Sequence, residues 1–143
     1  MEKIELKLIN LKKMSAALKR SINKLNKETD QEYIEFLQDS VAARFKILIE
    51  STWKILKLYL EQEKFSDIPA SPKGIIQICK EAGLISSEEA QKFVSFLDLR
   101  NLASHLYDQP QYLLVINAAP NALTLIEKIV EKIKPQSSIS VSQ

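Results

Sequence analysis

Length, composition and charge leave room for one small domain built without glycine-rich turns. The chain has 143 residues, of which 45% are hydrophobic and 27% are charged, with a net charge of +2. Only two glycines occur, which argues against β-sandwiches, barrels and phosphate-binding glycine loops. One cysteine and one histidine exclude an internal disulfide, a thiolate zinc cage and a multi-histidine metal site within one chain. We therefore expect neither a metal site nor a bound cofactor.

The hydropathy of the chain predicts no membrane segment. No run of 18 apolar residues occurs, and the first residues alternate in charge, so neither a membrane span nor a secretory signal is expected. A cytoplasmic, mostly helical protein without a membrane partner is the resulting expectation.

Positive charge is concentrated near the N-terminus. Residues 1–30 contain eight basic and four acidic side chains, so this segment carries +4 while the remainder carries −2. A basic first helix could attract a polyanion, although a solvated face of lysines is the simpler interpretation.

Apolar residues recur at three- and four-residue steps in the first half of the chain, the spacing of amphipathic helices. The spacing predicts a first helix over residues 2–27 and a second over residues 31–63. Between them, Thr29 and Glu32 have the spacing of a capping box, with Thr29 as the N-cap.

Cap signals divide the next part of the chain into two helices. A short helix begins at Ser71–Pro72 and ends at Gly83, a residue that readily adopts the left-handed conformation of a C-cap. A second capping box, Ser86–Glu89, begins a helix that runs to about Tyr107, with Pro110 just beyond its end.

The last segment, residues 111–134, is apolar but contains Pro120, which predicts a kink or two shorter helices. The polar tail, residues 135–143, is predicted to be disordered. The expected architecture is all-α: an up-and-down bundle of four main helices plus a short one, forming a single domain over residues 1–134.

The densest group of polar residues lies near the end of the predicted fourth helix. On a helix at about 100° per residue, Leu99, Leu102 and Leu106 form an apolar stripe. The polar residues lie on the other faces: Arg100, Ser104 and Tyr107 on one edge, and Asn101, His105 and Asp108 beyond it.

A histidine beside an arginine can perform phosphoryl chemistry. The imidazole takes and returns a proton near neutral pH, and a guanidinium stabilises charge on phosphoryl oxygens. With no metal ligands nearby, the natural reaction is attack of an RNA 2′-hydroxyl on the adjacent phosphate. The simpler alternative is a histidine stabilised by the helix dipole, with Arg100 in a surface ion pair to Asp98 or Asp108.

The first half of the same helix is apolar on nearly all sides. Phe93, Val94 and Leu97 project into the sector that Arg100 and Asn101 occupy further along, which suggests burial against a second body. We therefore expect a homodimer with these three residues at the contact and the two sites close together.

Four residues elsewhere have open assignments. Trp53 is interpreted as a core or interface aromatic, and Cys79 as a small buried hydrophobic residue. Arg44 and Glu50 are either buried supports for the fourth helix or ordinary surface charges.

The sequence resembles a known family over roughly residues 5–130. Arg100-Asn101 followed by His105-x-Tyr107 is similar to the Arg-x4-His-x-Tyr signature of HEPN domains. More narrowly, the chain looks like the HEPN partners of minimal nucleotidyltransferases, also called nucleotidyltransferase substrate-binding proteins. Other matching residues are Arg44-Phe45, Glu50, Trp53-Lys54, Leu56, Tyr59-Leu60, Ser71-Pro72-Lys73, Ala82-Gly83-Leu84-Ile85, Leu99 and Asp108.

The resemblance implies a two-gene bacterial or archaeal module. In one interpretation the HEPN chain is an endoribonuclease toxin that uses no metal, and the nucleotidyltransferase is its antitoxin. His105 is then the acid and base, Arg100 stabilises the phosphorane and Asn101 orients the substrate, with Ser104, Asp108 and Glu50 supporting. The partner would adenylylate Tyr107.

Two other interpretations stay open. The chain could be a non-catalytic subunit that presents substrate to the transferase, or a scaffold bundle that keeps only the dimer surface.

Overall fold

The computed structural model describes residues 3–102 and 109–134, with side chains for residues 3–101 and 112–134. These residues form five helices and no strand, which confirms the predicted all-α bundle. The helices are α1 (Lys3–Lys27), α2 (Gln31–Gln62), α3 (Pro72–Glu81), α4 (Ser87–Leu102) and α5 (Gln109–Ile133).

Helices α1 and α2 form an antiparallel hairpin. The Ser21 and Ser40 hydroxyls lie 2.8 Å apart, and the Arg44 guanidinium donates to the Ala17 carbonyl and the Ser21 hydroxyl, both at 2.7 Å. Arg44 therefore connects α2 to α1 and does not support α4.

The cap of α2 differs from the sequence expectation by one residue. Asp30, not Thr29, is the N-cap, and its carboxylate accepts the backbone N–H of Glu32 at 2.9 Å. The Glu28 carboxylate accepts the N–H groups of Thr29 and Asp30. Two acidic side chains thus satisfy the backbone of this corner, and an aspartate accepts N-terminal N–H groups as well as a threonine does.

The caps of α3 and α4 are confirmed. The Ser71 hydroxyl accepts the Gly74 N–H at 3.1 Å, and Gly83 has a φ of +76° just after α3. At α4, the Ser86 hydroxyl accepts the Glu89 N–H while the Glu89 carboxylate accepts the Ser86 N–H. These bonds fix where the helix that carries Arg100 begins.

Helix α5 runs unbroken through Pro120, so the alternative of two shorter helices is wrong. It also begins two residues earlier than expected, so Pro110, which lies beyond α4, is in the first turn of α5. Proline is tolerated there because a first-turn N–H has no intrahelical partner.

Part of α5 is, by length and composition alone, apolar enough to cross a membrane. Tyr112–Ile133 has a mean hydropathy of 1.4 over the most apolar window. One face of it is nevertheless buried in the bundle, through Tyr112, Val115, Ala119, Ala122, Ile126, Ile129 and Ile133. The segment therefore packs as a core helix.

Two side-chain contacts orient α5. The Tyr112 hydroxyl donates to the Asp39 carboxylate at 2.6 Å, and Lys132 contacts Glu89 at 3.1 Å. Helix α5 thus begins beside the first third of α2 and ends beside the beginning of α4, antiparallel to α4.

Candidate functional site

Arg100 lies in the last turn of α4 and is held against α2. Its side chain is 17% exposed, and its Nη1 atom lies 2.7 Å from Glu50 Oε2. Its Nη2 atom donates to Asn101 Oδ1 at 3.1 Å. Both contacts limit the rotation of a long side chain, so the guanidinium is positioned in advance.

Glu50 has the supporting role, one of the two assignments that the sequence left open. It comes from the middle of α2, and its side chain is 38% exposed. The ion pair uses one of the five N–H donors of the guanidinium and the Asn101 contact a second. The guanidinium keeps N–H donors that make no contact with the other described residues, and such donors can bind an anion.

Trp53 lies one turn after Glu50 on α2. Its side chain is half-buried, and its buried Nε1–H has no hydrogen-bond partner among the described residues. The Lys54 Nζ atom lies 6.0 Å from the ring centroid. The tryptophan thus packs beside the site, as an aromatic at the edge of the core.

The other predicted site residues lie outside the described residues. Ser104, His105, Tyr107 and Asp108 belong to the segment between α4 and α5. Their roles stay predictions, and so does the continuation of the fourth helix to Tyr107. The expected disordered tail, residues 135–143, also lies outside this part of the chain.

The predicted dimer contact is corrected by the packing of α4. Phe93 is 0% exposed and Leu97 is 2% exposed, because both fill the core of a single chain. Val94 is half-buried and packs against the same core. Helices α2, α3 and α5 all pack on α4 and bury its apolar side chains, while Glu88, Lys92 and Ser95 stay exposed. Phe93 and Leu97 therefore present almost no surface to a second copy, whereas Val94 keeps part of its side chain exposed.

The hydrogen bond from Tyr112 to Asp39 is a feature that the sequence analysis missed. Tyr112 is 2% exposed and anchors the beginning of α5, directly after the segment that contains His105. A tyrosine in the first turns of an apolar helix was the available signal, because a buried hydroxyl needs a partner.

Burial also affects the chain's thiol. Cys79 is buried in α3, as predicted, and desolvation raises its pKa to about 11. A thiol with such a pKa is mostly protonated near neutrality and is a poor nucleophile. Cys79 therefore takes no part in the candidate site.

The described residues contain no group of three or more histidine, cysteine, aspartate or glutamate side chains that could hold a metal ion. Among the described residues, the site presents the Arg100 guanidinium, the Glu50 carboxylate and the Asn101 amide.

Comparisons with known proteins give a family and a fold for the chain. Residues 6–135 match the family model described as nucleotidyltransferase substrate binding protein like. The probable ribonuclease HepT of Haemophilus influenzae is 27% identical over 108 residues, which cover 71% of this chain and 73% of that protein.

Solved structures share the fold. A Thermus thermophilus protein is 27% identical with a TM-score of 0.69, over 92% of this chain and 99% of its own. A Haemophilus influenzae protein, described as showing the fold of a substrate binding domain of a nucleotidyltransferase, is 23% identical with a TM-score of 0.79, over 90% and 99%. A tri-AMPylated Shewanella oneidensis HEPN toxin in complex with MNT antitoxin is 20% identical with a TM-score of 0.75, over 94% and 98%. Since the family model spans almost the whole bundle, the chain belongs to the family described as nucleotidyltransferase substrate binding protein like.

Proposed function

We propose that the chain is the toxin of a two-gene toxin–antitoxin module and cleaves RNA without a metal. The observation that carries the proposal is the half-buried Arg100 guanidinium, which Glu50 and Asn101 hold at the end of α4. A relative named probable ribonuclease HepT and a toxin–antitoxin complex of the same fold support it.

The proposed reaction needs one proton-transfer group and one cation. His105 takes the proton of an RNA 2′-hydroxyl, and the 2′-oxygen attacks the adjacent phosphorus. Arg100 stabilises the charge that develops on the phosphoryl oxygens. The bond to the 5′-oxygen breaks as that oxygen receives a proton, which leaves a 2′,3′-cyclic phosphate and a 5′-hydroxyl. Asn101 orients the substrate.

The site is shared across a homodimer in this proposal, but the contact differs from the one that the sequence predicted. Three exposed apolar side chains could contribute to such a contact: Ile47, one turn before Glu50, and Leu113 and Leu114, which follow Tyr112 on α5. A second copy of this chain that covers these side chains would bring two Arg100 residues together. Ile47→Asp should give a monomer in analytical ultracentrifugation, whereas Leu6→Asp, at an exposed position on α1, should leave the dimer intact.

The partner in the proposal is a cognate minimal nucleotidyltransferase that adenylylates Tyr107. An AMP group would put phosphate beside Arg100 and compete for its fork. Intact-mass measurement after co-expression should show added AMP on the wild-type chain and none on Tyr107→Phe. Neutralisation of Tyr107→Phe without a mass gain on either protein would mean that binding alone inhibits.

The decisive experiment compares purified variants on RNA in the presence of a chelator. Wild-type protein should form cyclic phosphate ends, and His105→Ala should lower the rate about 10²–10⁴-fold. Arg100→Ala should lower the rate about 10²–10³-fold, and Arg100→Lys should restore little because it lacks the fork. Activity that needs added magnesium would contradict the mechanism.

The second candidate function is a non-catalytic subunit that presents substrate to the transferase. The ion pair with Glu50 is the observation that favours this candidate. A guanidinium that a carboxylate holds in place can bind the phosphate of a substrate without taking part in a reaction. Equal and negligible activity of wild-type and His105→Ala protein would support this candidate.

A further inference from the structure

An open groove lies at the corner where α1 ends and α2 begins. It has a volume of about 510 Å³ and is lined by Lys24, Lys27, Glu28, Tyr33, Phe36 and Leu37. Tyr33 and Phe36 are one turn apart on α2 and are 60% and 61% exposed. Two aromatic rings with this exposure, on neighbouring turns, add nothing to the core, and their free faces are available to a ligand.

The outer face of α1 leads to this groove and is strongly basic. No acidic residue occurs between Glu5 and Glu28, whereas seven lysines or arginines do. Helical spacing aligns Lys13, Arg20 and the two groove lysines on one exposed stripe, opposite the buried leucines.

The groove lining contains two lysines and Glu28, whose carboxylate lowers the positive charge of the groove but does not reverse it. Glu28 accepts two backbone N–H groups, and Asp30 accepts the N–H groups at the beginning of α2. Both carboxylates are therefore directed at the backbone of the connection between α1 and α2.

We propose that the basic stripe of α1 and the aromatic pair form a binding track for single-stranded RNA, separate from the cleavage site. The track consists of Lys13, Arg20, Lys24, Lys27, Tyr33 and Phe36. Lysines and Arg20 contact successive phosphates, and bases stack on the two rings, the combination typical of single-strand binding surfaces. The proposal rests on the proposed function, because it assigns the RNA that is cleaved to this track.

The linear arrangement of the basic side chains on α1 favours RNA over an acidic protein as the ligand. The seven basic side chains are spread along one helix over about 30 Å, from Lys7 to Lys27. A linear polyanion matches a linear row of cations, and its bases match exposed aromatic faces. An acidic protein surface would use the cations but leave both rings without a matching group.

Phe36, in the α2 part of the track, is on the same face of α2 as Glu50, which holds Arg100. Phe36 and Glu50 are fourteen residues apart, nearly four turns, so they lie within about 40° on the helix surface and about 21 Å along it. A strand of a few nucleotides stacked at Phe36 can therefore reach the guanidinium that Glu50 holds. The track would set which length of RNA is bound productively.

The test measures affinity without cleavage. Wild-type protein is titrated onto a short fluorescent RNA whose 2′-hydroxyls are methylated, so that binding is read by anisotropy even if the chain cleaves nothing. Tyr33→Ala and Phe36→Ala should each weaken Kd about tenfold. Lys24→Gln and Lys27→Gln should each reduce the slope of log Kd against log salt by about 0.7.

Matched controls come from elsewhere on the surface. Phe65→Ala removes a ring that is 39% exposed beyond the other end of α2, and Lys128→Gln removes an exposed charge on α5. Both should bind RNA as the wild type does. In cleavage assays Tyr33→Ala should raise the KM of a long RNA and leave a dinucleotide substrate unchanged.

The outcomes separate this proposal from the proposed function. Unchanged Kd in the double variant Tyr33→Ala, Phe36→Ala would overturn the track while leaving cleavage by His105 untouched. Loss of transferase binding with unchanged RNA affinity would also overturn it and assign the corner to the protein partner. Inactive wild-type protein that still binds RNA through the track would instead refute the ribonuclease proposal alone.

Discussion

Removal of the Glu50 charge tests whether α2 holds the Arg100 guanidinium in place. The two charged atoms lie 2.7 Å apart, with 17% of the arginine and 38% of the glutamate side chain exposed. Two unit charges about 4 Å apart attract by about 4 kcal/mol at an effective dielectric constant of 20. Solvent screening of the exposed carboxylate and desolvation of the guanidinium offset more than half of this. We expect a net coupling of about 1–2 kcal/mol.

A double-mutant cycle measures that coupling. Urea denaturation gives the free energy of unfolding for the wild type, Glu50→Gln, Arg100→Gln and the double variant. The pair of Lys73 and Asp98 is a matched control, since its atoms lie 2.9 Å apart but both side chains are about 60% exposed. That cycle should give less than about 0.5 kcal/mol. A Glu50–Arg100 coupling as small as the control would refute the reasoning.

Glu50→Gln should also affect activity if Glu50 is a positioning residue. A loosened guanidinium should lower kcat for RNA about 10- to 100-fold, since small misplacements of a stabilising group have large effects. The pH profile should stay unchanged, because the proposed proton transfer belongs to His105. Loss of stability without loss of kcat would show that the ion pair is structural only.

Three further predictions concern the bundle. Tyr112→Phe removes the 2.6 Å hydrogen bond to Asp39 and should lower the free energy of unfolding by about 1–2 kcal/mol in urea denaturation; an unchanged value would show that water replaces the bond. Stability should fall above about pH 9, because burial raises the pKa of Cys79 to about 11 and also raises that of Tyr112. The folded chain retains these two protons to a higher pH than the unfolded chain does. Their contribution to the free energy of unfolding is therefore complete below the unfolded pKa values and is lost as the pH rises through the folded pKa values. Denaturation at stepped alkaline pH checks this, and Cys79→Ala should flatten the dependence. Phe93→Ala should cost about 3–5 kcal/mol and Val94→Ala much less, whereas equal costs would contradict the packing of α4.

The sequence by itself determined the all-α class, most of the helix boundaries and the caps of α3 and α4. These features depend on bonds between residues at most a few positions apart, such as the capping box of Ser86 and Glu89. The same locality explains the error at α2, where Thr29 and Asp30 are adjacent and both suit an N-cap. Residue type alone does not show which of two adjacent residues is the N-cap when both can accept the same backbone N–H groups.

Only the tertiary structure decided which side chains meet. Arg100 pairs with a glutamate fifty positions earlier, and Tyr112 with an aspartate seventy-three positions earlier. Periodicity shows that a helix face is apolar but not how many neighbours cover it, so Phe93 and Leu97 were assigned to a dimer contact although they fill the core. The number of helices that pack on α4 depends on how all five helices assemble into the bundle. That assembly depends on contacts between residues far apart in the sequence.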